Sequence, residues 1–108
     1  MSDAAHNGAI TYRDGHLRIA GDMTIYSAAA LRDELLVLMP DCSGNIEVNL
    51  SEVSALDTAG LQIILMMRRF AQARGATFCV SEPSAAVLEV IELSGMQRLI
   101  DEATGRAA

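Results

Sequence analysis

Residues 46–50 alternate strictly, with Ile46, Val48 and Leu50 on one face and Glu47 and Asn49 on the other. A period of two predicts a half-buried strand. Upstream, Ile10-Thr11-Tyr12 and Leu17-Arg18-Ile19 flank Asp14-Gly15. Asp-Gly between short alternating runs predicts a hairpin, because its turn positions need positive φ. Gly21 ends the second strand. Over 28–39 the period becomes helical, with Ala28, Leu31, Leu35 and Leu38 in one stripe and Arg32, Asp33 and Glu34 largely outside it. Thr24 or Ser27 can cap that helix, and Pro40-Asp41-Cys42-Ser43-Gly44-Asn45 breaks it.

After the strand at 46–50 comes a Ser/Glu-rich connector. The apolar pair Ala55-Leu56 then meets Asp57-Thr58-Ala59-Gly60. A second helix is predicted over 59–74, stopped by Gly75. Residues 77–80 read as a short strand with Phe78 and Val80 on one face. Pro83-Ser84 opens a third helix with Val87, Val90 and Ile91 inward and Glu89 and Glu92 outward, closed by Gly95. Residues 96–100 form a short apolar finish, and 101–108 a frayed tail. The order is hairpin, helix, strand, helix, strand, helix. Strands alternating with helices imply an α/β fold with a mixed, largely parallel sheet and right-handed crossovers. No repeat or linker divides the chain.

The second helix carries the candidate chemistry. At ~100° per residue, Ile63, Ile64, Met67, Phe70, Ala71 and Arg74 share one broad arc, the expected core face. The opposite arc holds Gln62, Arg68, Arg69 and Gln72, and also Leu61 and Leu65. Thr58 projects to that side. Either a neighbouring loop covers the two leucines, or they form an exposed apolar patch beside the hydroxyl. Thr58 itself has two readings: a helix N-cap, or a phosphorylatable switch at a helix N-terminus. Asp57 can be a capping carboxylate. Gly60 permits close backbone approach, since the glycine-rich loop that phosphate cradling needs is absent.

Composition narrows the function class. The 108 residues are 51% apolar and 20% charged, enough to bury a core in one domain. With no Trp and four other aromatics, that core must be Leu, Ile, Val, Ala and Met. The net charge of −6 argues against a nucleic-acid or anionic-membrane partner. No apolar run reaches the ~20 residues of a membrane span, so direct membrane insertion is not expected. Residues 1–8 lack the basic-then-apolar pattern of a signal peptide. A cytoplasmic location is expected, with Cys42 and Cys79 as reduced thiols. His6 and His16 are too few for a zinc site, and no cofactor or metal is expected. Neither histidine nor any serine sits in a nucleophile motif, so no catalytic set emerges and no enzyme is expected.

Val48-Asn49-Leu50-Ser51 followed by Leu56-Asp57-Thr58-Ala59-Gly60-Leu61 resembles the STAS family, the domain of sulfate transporters and anti-sigma factor antagonists. Ala73-Arg74-Gly75-Ala76, Ser81-Glu82-Pro83-Ser84 and Val90-Ile91-Glu92-Leu93-Ser94-Gly95-Met96 support the likeness, which spans about residues 10–100. It implies a STAS fold over 9–101, a four- or five-stranded mixed sheet with helices packed on one side, between flexible ends at 1–8 and 102–108. It also implies a binding module without catalysis. In SpoIIAA-like members the hydroxyl after the Asp is phosphorylated by a Ser/Thr kinase that is also an anti-sigma factor, and Thr58 occupies that position.

The chain departs from the common pattern. Thr58 stands for the more frequent Ser, Ala59 for a second hydroxyl, Asn49 for an Asp, and Thr24 for an acidic residue. Asp-Thr-Ala-Gly with Thr-Ile-Tyr is more similar to stand-alone STAS proteins of chemosensory clusters and to MlaB, a subunit of a phospholipid-transport ABC complex. The expected partner is therefore a protein: an anti-sigma factor or Ser/Thr kinase, a chemosensory kinase, or an ABC transporter ATPase. The expected contact face is Thr58, Leu61 and Leu65, shaped by Asp57 and Gly60. Ala59, Gln62 and the neighbouring Asp22, Met23 and Thr24 complete it.

Overall fold

The computed structural model describes residues 9–13, 16–42 and 44–98. The expectations for 1–8, for the Asp14-Gly15 turn and for the tail lie outside the described residues. Strands β1 (Ala9–Arg13) and β2 (His16–Met23) are antiparallel, with Arg13 paired to His16 at the closing end. Helix α1 (Ala28–Leu38) leads through a 3₁₀ turn (Met39–Asp41) to β3 (Ile46–Leu56). Helix α2 (Thr58–Ala73), β4 (Phe78–Val80) and α3 (Ala85–Leu93) follow. The sheet order is β1-β2-β3-β4, with β2, β3 and β4 parallel. Each crossover steps to the next strand in the same direction. Right-handed crossovers of that kind put their helices on one face.

Burial follows that topology. Leu17, Val48 and Val80 pair in one row across three strands, and all are fully buried. The adjacent row, His16, Glu47 and Cys79, points to the other face, where His16 Nδ1 lies 3.2 Å from Glu47 Oε1. Leu31 and Leu35 of α1, Ile64, Met67 and Ala71 of α2, and Val87 and Ile91 of α3 complete the core. Cys42 and Cys79 are free thiols. Among the described residues no helix is long and apolar enough to cross a membrane.

Strand β3 is longer than the alternation at 46–50 predicts, because the Ser51-Glu52 connector is itself strand. Its register against β2 slips twice, between Arg18 and Ala20 and between Gly21 and Asp22. The first slip has a local cause. Asn49 Oδ1 accepts from Ser51 N at 2.9 Å and from Ser51 Oγ at 2.7 Å, an Asx turn that bulges the strand. The buried set then passes from Ile46, Val48 and Leu50 to Val53 and Leu56. The second half of β3 is thereby re-aimed so that Leu56 pairs with Met23.

The helix ends are equally local. Gly75, at φ 76°, closes α2: its N–H donates to Gln72 O at 3.1 Å and Ala76 N donates to Ala71 O at 2.9 Å. Arg74 stacks over Phe70 at 5.2 Å and donates to Met39 O at 3.1 Å, tying this end of α2 to the end of α1.

Candidate functional site

The site lies where β2 and β3 end side by side. Beyond Met23 the chain makes one helical turn before α1. Thr24 O accepts from Ser27 N at 2.9 Å and from Ala28 N at 2.8 Å. Thr24 Oγ1 accepts from Tyr26 N at 3.3 Å, while Ser27 Oγ accepts from Thr24 N at 3.0 Å. This is a reciprocal capping arrangement with Ser in the place of the usual Glu. Asp22 anchors it, taking Thr24 Oγ1 on its carboxylate at 2.9 Å and Ser27 Oγ on its carbonyl at 2.8 Å. Ser27 is consequently buried. The two residues between the caps have nowhere to go but outward: Ile25 is 69% exposed and Tyr26 92%.

Asp57 joins this turn to α2. It is the N-cap, with extended backbone, and its Oδ1 accepts from Gly60 N at 3.1 Å. Its Oδ2 accepts from Ile25 N at 2.9 Å, across 32 residues of sequence. Its own N–H donates to Met23 O at 3.3 Å. Both carboxylate oxygens are thus engaged, one on each loop. Gly60 completes the junction. A Cβ there would collide with Met23 O and stand 2.6 Å from Leu56 Cδ1. The helix approaches the end of β2 this closely because position 60 has no side chain.

With Asp57 as cap, Thr58 is the first helical residue, not the N-cap. It is exposed, and among the described residues its hydroxyl has no hydrogen bond. The N–H groups of a first helical turn lack intrahelical partners, so an anion on this hydroxyl would meet donors and the favourable end of the dipole. Gln62, one turn on, is also exposed, and Ala59 is half-buried.

Three expected contacts fall elsewhere. Leu61 is buried, at 7% exposure, and Leu65 is half-buried against the core. The expectation of two exposed leucines is therefore corrected. The buried arc of α2 is Gly60, Leu61, Ile63, Ile64, Met67 and Ala71, rotated toward Leu61 because Gly60 is among its innermost points. Phe70 is only half-buried and Arg74 exposed, at the arc's other edge. Met23 is fully buried, so its side chain is core and only its carbonyl serves the site. Asp22 and Thr24 are half-buried and bonded to each other, as scaffold. The large exposed apolar residues at this junction are instead Ile25 and Tyr26, on the turn that Asp57 holds through Ile25 N. A signal for them existed in the sequence: two large side chains bracketed by two capping hydroxyls, Thr24 and Ser27.

Among the described residues no three His, Cys, Asp or Glu side chains gather as a metal site would require. The arrangement offers a surface hydroxyl, a helix N-terminus and an apolar rim.

The chain belongs to the STAS-domain family: the family model described as Mlab, STAS domain matches residues 7–101. Over 88 residues the chain is 25% identical to the anti-sigma-B factor antagonist of Bacillus subtilis (strain 168), covering 82% of this chain and 80% of that protein. Its fold is similar to that of an anti-sigma factor antagonist from Mycobacterium paratuberculosis, with a TM-score of 0.72 at 20% identity over 92% of this chain and 91% of the other. It is also similar to the anti-sigma factor antagonist SpoIIAA in its unphosphorylated form, with a TM-score of 0.70 at 18% identity over 92% and 94% of the two chains. The phosphorylated form of SpoIIAA, a Bacillus cell fate determinant, gives 0.64 at 17% identity over 94% and 99%. The mixed four-stranded sheet is the fold that the STAS resemblance implies.

Proposed function

We propose that this protein is a non-catalytic regulatory module that binds a protein partner through the surface around Thr58, Ile25 and Tyr26, and that phosphorylation of Thr58 releases the partner. One observation carries the reading: the Thr58 hydroxyl is exposed at the first position of α2 while Asp57 does the capping, so the fold makes no use of it. Ile25 and Tyr26 supply an apolar rim of the kind that anchors interfaces. The similarity to the anti-sigma-B factor antagonist, and to SpoIIAA solved in two phosphorylation states, supports an antagonist role toward an anti-sigma factor or kinase.

The physics of the switch is asymmetric. A phosphate adds about −1.5 to −2 charges. In the free protein, helix N–H groups and the dipole stabilise it. Against Ile25, Tyr26 and a partner it must be desolvated or kept wet, which costs roughly 1–3 kcal/mol, or about five- to 150-fold in affinity.

The family model's description supports a second reading, a subunit of a phospholipid-transport ABC complex that contacts its ATPase through Thr58 without phosphorylation. Affinity capture from native cytosol would supply the partner, and calorimetry with wild type, Thr58→Ala and Thr58→Glu would test both readings. Under the antagonist reading Thr58→Ala binds like wild type and Thr58→Glu binds weakly. Under the transporter reading Thr58→Ala itself weakens binding. Equal affinities for all three refute both.

A further inference from the structure

From the Thr58 end a groove of about 580 Å³ runs between α1 and α2. Its apolar lining is Ile25, Ala28 and Ala29 on one wall and Ala59, Ile63 and Met66 on the other. Ala28 and Ala29 belong to α1 and Ala59, Ile63 and Met66 to α2, at helical spacing, and Ile25 extends the first wall from the turn just before α1. The alanines keep the walls low, which is why a groove remains.

The polar lining is Gln62, Arg32 and Arg69, and among the described residues no acidic side chain joins them. This is unexpected in a chain of net charge −6. Helix α1 segregates its charges: Arg32 faces the groove, while the adjacent Asp33 and Glu34 line a separate depression with Ile10, Val37 and Leu38. Two other arginines, Arg18 and Arg74, are engaged. Arg18 reaches Glu52 at 3.3 Å, and Arg74 reaches the Met39 carbonyl. Arg32 and Arg69 are exposed and, among the described residues, have no ion pair or hydrogen bond. Ala59 to Arg69 spans ~15 Å along α2, about three helical turns.

From this charge pattern we infer that the groove takes an acidic amphipathic helix of the partner protein, apolar residues inward and carboxylates on Arg32 and Arg69. The inference rests on the docking role proposed for the Thr58 end and names the chemistry of what docks. Guanidinium groups suit carboxylates because they bind them in bidentate fashion. The pairing also gives the switch a second reason for its direction. A phosphate on Thr58 would place negative charge at the mouth of a groove that recruits negative charge.

The test is a display selection of helical 15-residue peptides on the full-length protein, then fluorescence polarisation with the best peptide. Selected peptides should be acidic with apolar residues at i, i+3 and i+4. Arg32→Glu/Arg69→Glu should weaken them roughly ten-fold or more, since two pairs become repulsions. A peptide with Lys in place of its Glu should recover much of the loss on that variant. Both arginines are exposed, and circular dichroism checks that the variant stays folded.

No enriched peptide, neutral or basic peptides, or affinity indifferent to the double substitution would overturn the inference. Self-association through the groove, seen as a wild-type dimer in sedimentation that Arg32→Glu/Arg69→Glu dissolves, would overturn it too. Thr58→Glu, tested on the same peptide and on the captured partner, separates the two proposals. Loss with the arginine variant but not with Thr58→Glu keeps the groove and removes the switch. Loss with Thr58→Glu alone keeps the switch and removes the groove.

Discussion

Gly60→Ala separates two physical effects that oppose each other. By helix propensity alone the change should stabilise the protein, since Ala is favoured over Gly by ~1 kcal/mol in a helix interior. The packing says otherwise. The new methyl would collide with Met23 O and lie 2.9 Å from Met23 C, both backbone atoms at the end of a strand. Backbone there cannot swing aside as a flexible side chain can, so the first turn of α2 must move outward. That motion strains the Asp57 cap, worth ~1 kcal/mol. It stretches the bond from Asp57 N to Met23 O, worth a further ~1 kcal/mol. Overpacking beside Leu56 adds ~1–3 kcal/mol. After the propensity gain is subtracted, the net loss is about 2–4 kcal/mol. For a domain of this size that lowers Tm by roughly 10–25 °C. Urea unfolding followed by far-UV circular dichroism would measure it as a fall in midpoint at constant slope. Ala59→Gly, which removes a methyl in the same turn, should cost no more than ~1 kcal/mol. A Gly60→Ala protein as stable as wild type, or more so, would refute the close-approach argument.

Thr58→Ala should change stability by no more than ~0.5 kcal/mol in the same assay, because the cap belongs to Asp57. Asp57→Ala should cost ~1.5–3 kcal/mol, losing both the cap and the Ile25 bond, whereas Asp57→Asn should cost less because Asn also caps; thermal melts of the pair would show it. Leu61→Ala should cost ~2–4 kcal/mol as a core truncation, while Tyr26→Ala should cost under ~0.5 kcal/mol; denaturant midpoints for the two would show the contrast. Tyr26→Ala should nevertheless weaken partner binding by about ten-fold or more in calorimetry, as an aromatic anchor does when truncated.

The sequence carried the fold wherever the cause was local. The alternation of Ile46, Val48 and Leu50 is the alternation of the buried row, and Gly75 and Gly95 end their helices with positive φ. Asp57 and Ser84 cap through side chains three residues ahead of the N–H they accept. What was not legible lay in backbone geometry that side-chain periodicity does not record. A helical wheel locates a core face from side-chain hydrophobicity and treats glycine as blank. In α2 the blank is a point of close contact with the end of β2, so the arc drawn from Ile63, Phe70 and Arg74 is turned away from Leu61. The Asn49 bulge disguised the second half of β3, because a strand that changes face midway no longer reads as one period. Ile25 and Tyr26 were legible only with the Asp22 anchor, which forces Thr24 and Ser27 inward and the residues between them out.

The bond from Ile25 N–H to the Asp57 carboxylate gives the site its own spectroscopic probe. Ile25 lies in an exposed turn, where an amide ordinarily exchanges with solvent quickly, yet its proton is held by a charged acceptor that shortens and strengthens the bond. Its resonance should lie downfield of other turn amides and outlast that of Tyr26, whose N–H makes the longer bond to the Thr24 hydroxyl. Since the acceptor also caps α2, one nitrogen signal reports on both loops at once. Isotope-labelled protein would therefore register whatever happens at Thr58, whether a bound partner or an added phosphate, without any label placed in the site.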